Sequence, residues 1–242
     1  MAQFRHGDRV GSTIDQVSSR QLDQLNDLII QCSRCPRLRE HCTQVSIDKR
    51  KAYIDHEYWG RPVPSFGDPL ASIMLVGLAP GAHGANRTGR VFTGDRSGDF
   101  LFAGLHRCGF ANQPESIGRE DGLSLTGMWI AMAAHCAPPG NKPDASELAS
   151  CREWLIQEMD LIRPRVLMAL GGIAWNAVLS ALTDRGIDTG RPRPKFAHGA
   201  EACFDDITLI GCYHVSQQNT FTGRLTEPML DEILTRAGLL SG

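Results

Sequence analysis

SIMLVGL, residues 72–78, leads directly into GLAPGAHGANRTGRVFTGDRSGDFL, residues 77–101: an apolar run of strand length, then a segment with six glycines in its first twenty-two residues, then an amphipathic stretch. A continuous apolar run followed by a helical pattern is the unit of a parallel sheet covered on both faces. Three further runs repeat it: Met128–Ala134, Arg165–Gly171 and Asp206–Tyr213. Helices are expected over Asp99–Cys108, Ala145–Ile162, Ile173–Thr183 and Glu227–Leu239, with Pro164 unable to continue the second of them. The expected fold is therefore α/β, a three-layer α/β/α sandwich around a mostly parallel four-stranded sheet.

Ahead of this core, residues 1–66 read as an extension packed on it: a helix over Ser19–Ile30, a turn carrying cysteines, and a segment rich in proline and aromatics. The 242 residues are expected to form one domain. Asp184–Gly199 has neither helical nor strand period and reads as a surface loop. A net charge of −2 and a pI of about 6.4 exclude bulk-charge coating of nucleic acid or anionic membrane, so any nucleic-acid contact must be a local patch. No apolar core of the signal-peptide kind opens the chain and no apolar run reaches the roughly 18 residues of a membrane span, so a cytoplasmic protein is expected.

Eight cysteines in a reducing compartment point away from a disulfide framework. Cys32 and Cys35 have the C-x-x-C spacing at which a turn presents two thiolates to one metal centre, and Cys136 and Cys151 form a wider pair. Zinc and an iron-sulfur cluster both remain open at this point, the unequal spacing suiting a cluster at least as well. Cys108, Cys203 and Cys212 read as small buried hydrophobes, and Cys42 fits either group. The glycine-rich segment lacks both the Gly-Lys-Ser/Thr of a Walker loop and the Gly-x-Gly-x-x-Gly of a dinucleotide fold. Its glycine density implies tight turns and close backbone approach to a ligand.

That segment resembles the first motif of the uracil-DNA glycosylase superfamily, and GLAPGAHGANRTGRVFTGD, residues 77–95, is similar to its family 5 branch. The C-x-x-C, CAPPGNKPDASELASC (136–151) and HVSQQNTFTGR (214–224) follow in the order of that branch, so the resemblance spans roughly residues 25–240. It implies a four-iron four-sulfur cluster on Cys32, Cys35, Cys136 and Cys151. It also implies a damaged nucleotide rotated out of the duplex, because the glycosidic bond cannot be reached inside the stack.

By the same resemblance Phe92 stacks on the extruded base, Gly77, Ala79, Pro80 and Gly81 line the pocket, and His214 hydrogen-bonds a base oxygen as charge builds on the leaving group. Where other branches carry a polar residue just after the opening glycine, this chain has Leu78 and Ala79, which makes Asp95 the candidate carboxylate. Met132 stands where related branches place an asparagine that reads uracil, so relaxed selectivity toward hypoxanthine or xanthine is expected. Asn141 is either a replacement donor or a turn residue. Arg87, Arg90, Ser216, Gln217, Asn219 and Arg224 are expected to face DNA, with Gln217, Gln218, Asn219 or Phe221 as the wedge.

No nucleophilic lysine appears in these motifs, so the expected enzyme is a monofunctional glycosylase of base excision repair acting as a monomer on damaged DNA. No sliding clamp or other repair partner is legible. The alternative is a catalytically inactive iron-sulfur protein that binds nucleic acid, kept open by the missing motif carboxylate.

Overall fold

The computed structural model describes residues 13–242. The reading of the opening residues as free of a signal-like core falls on 1–12 and lies outside them. In chain order the elements are α1 (Thr13–Ile30), α2 (Pro36–Asp48), β1 (Phe66–Gly67), β2 (Ile73–Gly77), α3 (Ala85–Thr88), α4 (Arg96–Arg107), β3 (Met128–Met132), α5 (Ala145–Ile162), β4 (Val166–Leu170), α6 (Gly172–Asp184), β5 (Glu201–Phe204), β6 (Ile207–Cys212), α7 (Gln217–Phe221) and α8 (Glu227–Ser241).

The sheet has six strands in the order β1-β3-β2-β4-β6-β5, not the four expected. The four interior strands are the four apolar runs and pair in parallel, with Leu75 opposite Ile130 on one side and Met168 on the other. Both additional strands are antiparallel edges. Two residues are too few to show a strand period, and β5 (EACF) exposes alternate side chains as an edge does. Cys203 consequently points to solvent, against its expected burial, while Cys212 is buried and Cys108 half-buried.

Alternation along the strands sends side chains to two apolar layers. Ile73 and Leu75 of β2 join Leu101, Phe102 and Leu105 of α4 and Leu230 and Leu234 of α8. Met74 and Val76 face the opposite way, onto Leu155 and Met159 of α5 and Trp175 and Val178 of α6. Asp144 caps α5 through the Glu147 amide, and the Glu147 carboxylate returns to the Asp144 amide in a capping box. Arg163, in the left-handed region, ends α5 one residue before Pro164. Among the described residues no helix is long and apolar enough to cross a membrane.

One buried acid interrupts the second layer. Glu158 of α5 is fully enclosed; Trp129 Nε1 donates to its Oε1 at 3.1 Å, and Oε2 has no partner among the described residues. Burial pushes this carboxyl up to about 7, partly offset by the Trp129 N–H. The folded state thus keeps the proton to higher pH than the unfolded chain, whose ordinary value is 4.5, so stability falls as pH rises from about 4.5 through about 7. Glu158→Gln, which never charges, should be more stable than wild type above that window, by on the order of 3 kcal/mol, and equal to it below. Thermal melts of both proteins across pH check this; a pH-independent difference would refute it.

Candidate active site

The carboxyl ends of β2, β3 and β6 open into a cleft of about 660 Å³, the size of a small-molecule site. Ala79, Pro80, Gly81, Phe92, Asp95, Asn141, His214, Ser216 and Gln217 all line it, so three segments far apart in the sequence meet at one place. Leu78, Ser97, Met132, Pro138 and Gln218 complete much of the wall. Gly77 lies behind it: a Cβ there would stand 2.5 Å from the Met132 sulfur and 2.7 Å from the Phe92 ring. Glycine at this strand end therefore lets the aromatic wall close down on the sheet.

Phe92 holds that wall in an unfavourable backbone conformation, φ +49°, and is 6 % exposed. Left-handed backbone at a non-glycine residue costs of order 1–3 kcal/mol and persists only where neighbours enforce it. Gly98 is one such neighbour, because a Cβ on it would overlap the Phe92 carbonyl oxygen. Asn141 is also left-handed, φ +56°, and follows Gly140 at φ +62°, so it is a turn residue that also reaches the cleft.

Asp95 is the N-cap of α4: its Oδ1 accepts from the amides of Ser97 at 3.0 Å and Gly98 at 3.1 Å. The other oxygen, Oδ2, sits against the Gly81–Gly84 turn, where a Cβ on Gly84 would overlap it. Burial raises the Asp95 carboxyl above its ordinary value; the two amides and Arg87 pull it back. His214 is lowered by burial, which favours a neutral imidazole carrying one donor N–H. Its carbonyl accepts from Asn219 Nδ2 at 2.8 Å, so half-buried Asn219 braces the histidine segment.

Two of the arginines expected on a DNA-facing surface are buried. Arg90 is 4 % exposed, with paired bonds of 2.8 and 2.5 Å to Asp121 and further bonds to Thr93 and Ser116. Arg87 is 9 % exposed and donates to the carbonyls of His83 and Gly94. Each charge is absorbed by acceptors inside the protein, which leaves no face for phosphate. Arg224 is exposed, with its guanidinium 4.7 Å from the Tyr213 ring centre.

A second cluster lies beneath the N-terminal helices. Cys32 packs with Cys151 and Trp154, and Cys35 with Cys42, Cys136 and Ala137. Burial first, then Cys136, Glu147 and Cys32, raises the Cys35 thiol, while burial pushes Cys151 up to about 12 with Cys136, Cys35 and Cys32 adding to it. The Cys42 thiol and burial drive Cys136 far above the ordinary thiol range. Three thiols, Cys35, Cys136 and Cys151, that resist ionisation through burial and the thiols around them suit a site whose missing charge is positive. Among the described residues no group of three or more His, Cys, Asp or Glu is spaced to hold a metal ion, whereas thiolates on separate irons of a cluster stand further apart. Arg39 Nη1 and Trp154 Nε1 are buried donors without hydrogen-bond partners, Arg39 near Cys136 and Trp154 one turn after Cys151. Anionic sulfur would satisfy both.

A doubly covered parallel sheet whose strand ends hold a cleft with an aromatic wall, a partly buried carboxylate and a neutral imidazole gives an α/β protein a site suited to an enclosed planar group. A family model described as the uracil DNA glycosylase superfamily matches residues 64–237, and the chain belongs to that superfamily. It is 48% identical over 224 residues to the type-5 uracil-DNA glycosylase of Mycobacterium leprae, covering 91% of this chain and 96% of that one. Against the type-5 enzyme of Thermus thermophilus it is 46% identical over 213 residues, covering 87% and 94%. The resemblance read from the motifs is thus borne out along most of the chain. A type-4 uracil-DNA glycosylase of Pyrobaculum aerophilum is more distant, 29% identical over 194 residues.

Proposed function

We propose that this chain is a type-5 uracil-DNA glycosylase, a monofunctional hydrolase that removes uracil from DNA and so opens base excision repair. The observation that carries the reading is the convergence of Phe92, Asp95 and His214 on one cleft, in a chain so similar to enzymes of that name. The nucleotide rotates out of the duplex and its base lies against Phe92, which replaces part of the lost stacking. As the C1′–N1 bond lengthens, its electron pair moves onto the base and positive charge builds on the sugar.

Neutral His214 donates its N–H to a base oxygen, and the Asp95 carboxylate stabilises the cationic sugar and orients the water that adds to C1′. One proton from that water is released and the base leaves, giving an abasic site with both strands intact. Ser216 and Gln217, at the cleft, and exposed Arg224 are assigned to the DNA backbone and the vacated stack.

Met132 makes the inner wall apolar at a point where a paired hydrogen bond would reject other bases, which supports release of hypoxanthine and xanthine besides uracil. Single-turnover release from duplexes carrying uracil, hypoxanthine, xanthine or thymine tests this. Uracil alone among the four would remove the relaxed selectivity but keep the enzyme class.

Cys32, Cys35, Cys136 and Cys151 are assigned to a four-iron four-sulfur cluster, which when bound cross-links the N-terminal segment to α5 and takes no part in hydrolysis. Protein prepared without air should be brown, with about four irons per chain, and removing the iron should lower its thermal stability. Colourless protein with one zinc would refute the assignment.

A further inference from the structure

Arg87 has a buried guanidinium hydrogen-bonded to two backbone carbonyls and one imidazole nitrogen. Nε donates to the His83 carbonyl at 2.8 Å, Nη2 to the Gly94 carbonyl at 2.8 Å and Nη1 to His56 Nδ1 at 3.1 Å, while the group lies 4.0 Å from the Tyr53 ring centre. The His83 carbonyl belongs to the Gly81–Gly84 turn on which Asp95 Oδ2 rests, and Gly94 immediately precedes Asp95. Gly94 is left-handed, φ +84°, and a Cβ there would lie 2.5 Å from Arg87 Nη2, so the turn is shaped to admit the guanidinium. From the outer side the 53–60 segment closes the frame: Tyr58 Oη meets His83 Nδ1 at 3.0 Å, and the Trp59 amide donates to the Arg87 carbonyl at 2.9 Å.

We propose that Arg87 is a positioning residue for the Asp95 carboxylate, its planar fork fixing the distance between the two turns that bracket that side chain. The inference rests on Asp95 being the carboxylate of the reaction. A guanidinium suits the task because it reaches three acceptors in one plane, which an ammonium on a flexible stem does not. Its charge also favours ionised Asp95, against burial and the neighbouring Asp99 carboxylate of α4. Around Asp95 also stand His83 in the adjoining turn and His214 across the cleft, both lowered by burial, and Arg96, the next residue of the chain.

The test is single-turnover uracil release by Arg87→Met, Arg87→Lys, His56→Ala and Asp95→Asn across the acid limb of the rate profile, with duplex affinity and thermal melts measured in parallel. Arg87→Met should slow release roughly tenfold to 100-fold and move the acid limb to higher pH, since Asp95 loses a favourable positive neighbour. Arg87→Lys should be slowed but keep the wild-type acid limb. Affinity and its salt dependence should stay at wild type in both, and Arg87→Met should cost little more in the Asp95→Asn background.

A folded Arg87→Met with the wild-type rate and acid limb overturns the inference. So does weakened binding with a shallower salt slope, which would make Arg87 a phosphate contact. Should Arg87→Met not fold, His56→Ala decides: it removes one of the three contacts from an exposed residue, and a rate equal to wild type overturns the inference. A wild-type rate for Asp95→Asn overturns the role of Asp95 and the inference with it; a slow Asp95→Asn beside a normal Arg87→Met overturns the inference alone.

Discussion

Asparagine in place of Asp95 should slow uracil release by about 100- to 1,000-fold while leaving the melting temperature close to wild type. The two effects separate because the two oxygens of Asp95 do different work. Oδ1 caps α4 through the Ser97 and Gly98 amides, and an asparagine carbonyl caps nearly as well. Oδ2, against the Gly81–Gly84 turn, belongs to the charge that only a carboxylate carries. Asp95→Ala removes both and should lose about 1 kcal/mol of stability in addition to the rate. Single-turnover kinetics beside thermal melts resolve the two. If Asp95→Asn were as fast as wild type while Asp95→Ala lost stability, Asp95 would be a helix cap only.

Gly98→Ala should be the most damaging small substitution near the cleft, at more than about 3 kcal/mol. The new methyl would overlap the Phe92 carbonyl oxygen, which is backbone and cannot rotate aside. Either the first turn of α4 moves and loosens its Asp95 cap, or Phe92 leaves its left-handed conformation and the aromatic wall shifts. Both outcomes couple stability to activity, so the variant should melt roughly 6–12 °C lower and release base more slowly. Gly118→Ala is the matched control, since a Cβ there meets nothing within 4 Å. Equal melting temperatures for the two variants would contradict the packing described around Phe92.

The interior of the sheet was legible because each buried parallel strand is a continuous apolar run, and the four helices expected within the core lie within three residues of their expected ends, whereas α1 begins at Thr13, ahead of the expected Ser19, and α2 occupies a segment read as a turn. What escaped was whatever depends on partners distant in sequence. The helix expected from Asp99 starts at Arg96, because Gly98, a poor helix former in isolation, is required by the Phe92 backbone beside it. Arg87 and Arg90 read as surface cations since nothing local reveals that Gly94, His56 and Asp121 absorb their donors. The 53–60 segment carries no motif, and its place under the glycine-rich turns comes only from the tertiary fold.

The lining of the cleft was legible for a different reason. Strand ends in an open parallel sheet converge, so the loops after Gly77, Met132 and Cys212 had to meet, and their residue types named the chemistry. Ser97 and Pro138 carry no such chemical label and were not assigned to the lining, although they shape it.

The central claim is that the cleft hydrolyses the glycosidic bond of uracil in DNA. It is tested most directly by single-turnover reaction of the intact protein with a labelled duplex bearing one uracil, read with and without a hot-alkali step. Scission that appears only after alkali, and only at uracil, is the predicted result. No scission under either condition would contradict the account.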